Sequence, residues 1–167
     1  VLLIAGHETT VNLIASGTLT LLQHPDQLER LRADPSLIKP AVDELLRFTS
    51  PVAHATERYA MQDMMLHGVS IKRGDLVLGV LASANRDPSR FAQPDVLDLG
   101  RDPNRHLAFG TGIHYCLGAP LARLEGQIAF WNLIQRFPKL RLATDPNALR
   151  WRGGFAVRAL KALPVIA

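Results

Sequence analysis

The chain contains 167 residues, 47% hydrophobic and 20% charged, and carries a formal net charge of +4. This composition can bury a core and excludes a disordered chain, and no apolar run approaches the ~18 residues that a membrane-spanning helix requires. The single cysteine, Cys116, excludes an internal disulfide and suits a reducing compartment, so we expect a cytoplasmic protein.

Apolar and small residues at helical spacing predict a first helix over residues 1–23, which ends at His24-Pro25. This helix opens on apolar residues without an N-cap, so we interpret the sequence as a fragment that begins inside a helix. A short polar helix is predicted over 26–33. A third helix is predicted over 36–48, with Ser36 as its expected N-cap.

The pattern then changes to short apolar runs separated by turn residues, which predicts strands over 55–59, 64–67, 69–71 and 76–78. Residues 85–112 are rich in Asn, Asp, Arg, Pro and Gly and show little periodicity. An irregular segment of this length inside a compact domain is usually functional. An amphipathic helix over 117–137 and strands over 140–142 and 157–160 complete the prediction.

The most informative stretch surrounds Cys116 and reads Phe-Gly-Thr-Gly-Ile-His-Tyr-Cys-Leu-Gly-Ala-Pro over residues 109–120. Its glycines allow tight folding with backbone N–H groups turned toward the sulfur, and the positive end of the next helix favours a thiolate. A dinucleotide-binding fingerprint fails because Tyr115 stands where its last glycine is needed. A structural zinc site lacks further cysteine ligands. The residues alone leave open an inert buried cysteine or a hydrolase that pairs Cys116 with His114.

Glu44 and Arg47 are spaced three apart on the third helix and can pair. A solvated pair of this kind contributes only a few tenths of a kcal/mol. Glu44, however, lies along an apolar stripe with Ala41 and Phe48, where an unpaired charge is costly. We therefore expect a third partner, and Arg101 in the irregular segment is the candidate.

Polar residues interrupt the first helix at positions 6–10. A solvent-facing polar turn is the simplest interpretation, and a zinc-protease motif fails because Val11 stands in place of its second histidine. In a functional interpretation, Gly6 leaves room beside the helix for a small ligand. Thr9 can hydrogen-bond the preceding turn or a water, and with Glu8 it could relay protons.

These three motifs resemble those of the cytochrome P450 family, and they occur along the chain in the family's order. The loop around Cys116, followed by Leu-Ala-Arg, is similar to the family's haem-binding loop. The resemblance implies haem b with Cys116 as the axial thiolate, Phe109 packed near the sulfur, and Gly110 and Gly118 in the cofactor-binding loop. It implies that His114 contacts a haem propionate.

The other two motifs match the family position by position. Thr9 corresponds to the catalytic alcohol, Glu8 to the acid beside it, and Gly6 to the oxygen-binding groove. The Glu44–Arg47–Arg101 network corresponds to a structural network around the haem.

The resemblance implies the mainly α-helical cytochrome P450 fold with small sheets, with residues 1–167 as the C-terminal portion of a single domain whose N-terminal part is missing. Arg58 matches a strand arginine that holds a propionate. The residues expected to line the substrate pocket are Val52, Ala53, His54 and Phe155.

The implied reaction inserts one atom of O2 into a small apolar substrate, with electrons from a ferredoxin or flavodoxin and its reductase. We expect Arg101 and Arg105 to attract this acidic partner, and no nucleic-acid or membrane partner is evident. Two alternatives remain: a thiolate-haem isomerase or peroxide-driven enzyme, and a non-catalytic basic binding module.

Overall fold

The computed structural model describes residues 2–152, 154 and 156–167. Within these residues the chain forms five α-helices and eight short strands. The helices are α1 (Leu2–Gln23), α2 (Pro25–Ala33), α3 (Ile38–Thr49), α4 (Leu81–Ala84) and α5 (Ala119–Arg136). The strands are β1 (Arg58–Tyr59), β2 (Met64–Leu66), β3 (Val69–Ile71), β4 (Leu76–Val77), β5 (Arg141–Leu142), β6 (Trp151–Arg152), β7 (Ala159–Leu160) and β8 (Val165–Ile166).

Helices α1, α3 and α5 pack against one another and form the core. Leu13 of α1, Leu45 of α3 and Phe130 of α5 are each at most 1% exposed. Gly17 permits the close crossing of α1 and α5, because a Cβ at this position would overlap the Phe130 ring. The apolar faces of the three longest helices therefore bury one another, as amphipathic helices require.

The strands pair as four separate two-stranded antiparallel sheets at the periphery of the helices: β1 with β4, β2 with β3, β5 with β8, and β6 with β7. The β2–β3 hairpin turns at His67 and Gly68, which both have positive φ angles of 48° and 82°. Two consecutive positive φ angles match the twist of a tight hairpin, and glycine adopts such a conformation without strain.

The mainly α-helical prediction with small sheets is confirmed. The expected N-cap at Ser36 is wrong, since the Asp34 side chain instead accepts the Ser36 N–H at 2.9 Å and begins a 3-10 turn, and α3 starts only at Ile38. Helix α4 and strands β6 and β8 were not predicted, because elements of four and two residues are too short to show a periodic pattern. No helix among the described residues combines the length and apolarity that a membrane crossing requires.

Candidate functional site

The loop that carries Cys116 is a tight turn fixed by its own backbone. Gly110 and Gly112 both have a φ of 71°, a left-handed conformation that favours glycine. The Cys116 N–H donates to the Phe109 carbonyl at 3.0 Å, and a 3-10 turn spans Gly112–His114. Helix α5 begins directly afterwards with Gly118 as its N-cap, so its positive end lies beside the cysteine.

Cys116 is exposed, and the side chains beside it are apolar. Ile113 is 97% exposed and Leu117 is 99% exposed, which is unusual for large aliphatic residues. A Cβ at Gly110 or Gly112 would not lie within 4 Å of the Cys116 sulfur, and a Cβ at Gly118 would lie 3.8 Å from it. An accessible thiol in a loop that also exposes two aliphatic side chains fits a flat, apolar, metal-bearing group such as haem. His114 is also exposed in this loop.

Phe109 lies on the inner side of the loop. The Arg123 guanidinium carbon is 4.6 Å from the centre of its ring, and the Tyr115 and His106 rings are 6.3 Å and 6.1 Å away. The loop therefore rests on a cluster of aromatic rings and one cation. His106 precedes the loop, and its side chain is only 3% exposed.

Glu44 and Arg47 are fully buried and pair through two hydrogen bonds of 2.8 Å. Arg101, the expected third partner, places its Nε 3.1 Å from both Glu44 oxygens. The carboxylate also accepts the Asp98 N–H at 3.0 Å and the Asn104 side-chain amide at 3.1 Å. One buried carboxylate thus pairs with two arginines and gathers the irregular segment around α3.

The arginines of this network also hold the irregular segment by its carbonyl groups. Arg47 Nη1 donates to Asn85 and Pro94, and Arg101 Nη1 donates to Ala92, at 2.8–2.9 Å. Asn85 is itself fully buried, and its side chain accepts the Leu107 N–H at 2.7 Å just before the Cys116 loop. The sequence carried no signal for Asn85, because its partners lie far away along the chain.

The expectation that Arg101 attracts a partner protein is wrong. Its side chain is only 10% exposed, and its donors are engaged by Glu44 and by backbone carbonyls. Arg105 is exposed and keeps that expected role as a prediction.

The polar segment of α1, residues 6–10, faces solvent when only the residues that the structure describes are considered. The Thr9 hydroxyl donates to the Ala5 carbonyl at 2.7 Å, one turn earlier. Glu8 lies 3.7 Å from the Arg152 guanidinium, with both side chains more than half exposed. A Cβ at Gly6 would meet nothing within 4 Å, so this side of the helix is open. The hydrogen bonds and ion pairs that we describe for Glu8 and Thr9 do not reach the Cys116 loop.

The remaining expected site residues lie on the strands. Arg58 is exposed and donates to Thr56 and to the Glu57 carbonyl, the latter at 3.0 Å. Val52, Ala53 and His54 are half-buried in a segment that pairs with residues 79–82 on one side and 156–158 on the other. Phe155 lies outside the described residues.

Comparison with known proteins identifies the family. A profile described as "Cytochrome P450" matches residues 1–162. The polyketide biosynthesis cytochrome P450 PksS of Bacillus subtilis is 54% identical over 98% of this chain. Its solved structure superposes with a TM-score of 0.95, at 53% identity over 98% of this chain and 42% of that one. The cytochrome P450 monooxygenase PikC of Streptomyces venezuelae is 53% identical over 99% of this chain.

A structure of P450BioI in complex with an acyl carrier protein ligated to hexadec-9Z-enoic acid also matches, with a TM-score of 0.90 and 54% identity. It covers 97% of this chain and 41% of that one. The chain spans about 40% of the length of the curated relatives PksS and PikC. Members of the matching family bind haem b through a cysteine thiolate. The chain belongs to the cytochrome P450 family.

Proposed function

We propose that the protein is a haem-thiolate monooxygenase and that Cys116 is the thiolate that ligates the iron. The observation that carries this proposal is the exposed sulfur in a glycine-bent loop, flanked by Ile113 and Leu117 with almost no cover of their own. Haem b held by a thiolate supplies O2 activation, because the sulfur donates electron density that favours O–O cleavage.

Residues of this chain would hold the cofactor at its iron and at its propionates. The α5 N-terminus, which begins beside Cys116, would stabilise negative charge on the sulfur. His114 is exposed beside it and Arg58 is exposed on β1, and both side chains can donate hydrogen bonds to a propionate. Gly118 leaves space beside the ligand atom, because a Cβ there would lie 3.8 Å from the Cys116 sulfur, and Gly110 supplies the positive φ that the loop requires.

Proton handling is assigned to α1. The Thr9 hydroxyl hydrogen is directed to the Ala5 carbonyl, so its oxygen remains able to accept a hydrogen bond from a water or a reacting oxygen. Glu8 is the neighbouring carboxylate that exchanges protons with solvent, and Gly6 leaves the side of the helix open for a small ligand.

The substrate class and the redox partner are part of this proposal. PksS is named for polyketide biosynthesis, and P450BioI is seen with a fatty-acyl carrier protein. The fatty-acyl chain of the second favours a small apolar organic substrate for this protein too, which the half-buried segment Val52–Ala53–His54 would contact, together with Phe155. A ferredoxin or flavodoxin with its reductase would deliver electrons, with Arg105 available to an acidic surface. A cytoplasmic location fits such soluble partners.

An isotope experiment tests the reaction. The full-length protein that contains this chain is loaded with haem and incubated with polyketide and fatty-acid candidates, a ferredoxin system and 18O2. We expect product that carries one 18O atom per molecule, and water labelled with the other. Product that forms only with peroxide, or with no oxygen from O2, would contradict the monooxygenase and support the peroxide-driven or isomerase alternative.

A variant pair tests the proton assignment. Thr9→Ala removes the hydroxyl, so we expect electron consumption to continue while the product formed per electron falls. Thr10→Ala removes the neighbouring hydroxyl on the same helix and is the matched control, which should keep the wild-type ratio. An equal ratio in Thr9→Ala and wild type would remove Thr9 from the proposal.

A further inference from the structure

Asp43, the residue before Glu44, connects α3 to both ends of the Cys116 loop. Its Oδ1 lies 3.1 Å from His106 Nε2, before the loop, and 2.7 Å from Arg123 Nε, after it. Asp43 does not share the Glu44 carboxylate's partners. It belongs to a second polar group, which we call the Asp43 cluster: Asp43, His106, Arg123 and Tyr115.

The direction of the His106 hydrogen bond follows from its other ring nitrogen. Nδ1 accepts the Ala108 N–H at 3.1 Å, so it carries no proton. The ring proton is therefore on Nε2, which donates to Asp43. A neutral histidine thus ties the backbone at residue 108, next to Phe109, to a carboxylate on α3.

Arg123 extends the cluster to two residues that contact or adjoin Cys116. Its Nε donates to Asp43, its Nη1 donates to the Tyr115 hydroxyl at 2.9 Å, and its guanidinium stacks against Phe109 at 4.6 Å. Tyr115 is the neighbour of Cys116, and Phe109 supplies the carbonyl that receives the Cys116 N–H. The Arg123 guanidinium therefore contacts the residue before Cys116 and the residue that accepts the Cys116 N–H. Asp43 in turn holds this guanidinium in place.

The contacts are partly shielded from water. The side chains of Asp43 and Arg123 are 31% and 30% exposed, and that of His106 is 3% exposed. Charge-assisted hydrogen bonds in such a position hold geometry better than a solvated pair. Outer partners of a metal ligand set its orientation, and their loss typically weakens metal binding about 10- to 100-fold.

We propose that Asp43 is a positioning residue for the Cys116 thiolate, acting through His106 and Arg123 on the two ends of the cysteine loop. The inference rests on the proposed function, in which Cys116 ligates haem iron. It assigns to Asp43 a role separate from that of the adjacent Glu44, which organises the irregular segment.

The test compares Asp43→Asn with wild type in the full-length, haem-loaded protein. The first readout is the rate at which haem transfers to apomyoglobin, which we expect to rise about 10- to 100-fold. The second is the spectrum of the reduced CO complex, in which a fraction of the protein should lose its thiolate-type band. Arg123→Lys is the second variant, because it keeps the charge beside Asp43 but loses the planar fork, and it should move both readouts the same way.

Asp63→Asn is the matched control. Asp63 is also an aspartate paired with a cation, Lys72 at 2.8 Å, and its other hydrogen bond comes from the Arg73 N–H, outside the networks of the candidate site. We expect it to alter neither haem transfer nor the spectrum. Transfer rates and spectra that match wild type in both Asp43→Asn and Arg123→Lys, or that change equally in Asp63→Asn, would overturn the inference.

Cys116→Ser in the same series separates this inference from the proposed function. Loss of the thiolate-type band in Cys116→Ser with no change in the Asp43 variants removes only the role of Asp43. A band that survives in Cys116→Ser removes the proposed function itself.

Discussion

Two Glu-x-x-Arg pairs with the same spacing lie on two different helices of this chain and have opposite environments. On α3, Glu44 and Arg47 are both 0% exposed and form hydrogen bonds with six further residues. On α2, Glu29 contacts Arg32 but is 67% exposed. The spacing alone therefore does not decide the role of such a pair.

The apolar neighbours on the helix make the difference. Ala41 and Leu45 are completely buried on the same helix as Glu44, so the glutamate is carried into the core and must be neutralised there. Glu29 lies on the solvent side of α2, while Leu28 and Leu31 are buried. A buried pair organises structure, whereas a solvated one contributes little.

The largest expected effect breaks the buried pair. Glu44→Gln leaves two guanidinium groups without their carboxylate, and we expect the free energy of unfolding of the full-length protein to fall by about 3–5 kcal/mol. Glu29→Gln, the same change at the same spacing on α2, should cost less than about 1 kcal/mol. Denaturant unfolding measures both. Equal losses would show that burial does not distinguish the two pairs.

A smaller loss of stability is expected for a change at Asn85, whose carbonyl accepts a hydrogen bond from Arg47. Asn85→Ala removes the acceptor of the buried Leu107 N–H and a contact to Ser50, so stability should fall by about 1–3 kcal/mol. Asn132→Ala is the control, because its amide bonds an exposed carbonyl on α5, and we expect a change within about 0.5 kcal/mol. If the two variants lose similar stability in thermal unfolding, the irregular segment is not held as we describe.

The smallest expected effect is the pH dependence of the stability that Asp43 contributes. Burial opposes ionisation, but hydrogen bonds from His106 and Arg123 outweigh it and hold the pKa of this carboxyl below its ordinary value of 3.8. The unfolded chain therefore takes up the proton first as the pH falls. The stability contributed by Asp43 is complete above about pH 5 and is lost as the pH drops through the lowered pKa.

The stability difference between wild type and Asp43→Asn, measured by unfolding at a series of pH values, should accordingly be constant near neutrality and shrink in acid. Asp43 is faced by His106 and Arg123 from the neighbouring elements. A difference that grows on acidification would contradict this assignment.

Much of this arrangement could be predicted from local sequence. The apolar stripe of the third helix predicted a buried Glu44 and therefore a further cation, and Arg101 lies in contact with it. The glycines around Cys116 predicted the tight loop, and two of them have positive φ angles. Both features depend on residues close together in the chain, or on the simple rule that a buried charge needs a partner.

The rest depends on contacts that no periodic pattern records. Asn85 and Asn104 lie in the irregular segment, where neither helix nor strand spacing assigns a face to a side chain, so their buried hydrogen bonds were not foreseen. Neither Asp43, beside Glu44, nor His106 was identified from the sequence as a site residue. Their partners approach from residues more than sixty positions away or on another helix.

The most direct test of the account is the absorption spectrum of the reduced, CO-bound form of the full-length protein, recorded for wild type and for Cys116→Ser after addition of hemin. We predict a thiolate-type band in wild type that is absent from Cys116→Ser. A wild-type protein that stays colourless, or a band that is unchanged in Cys116→Ser, would contradict the assignment of Cys116 as the iron ligand.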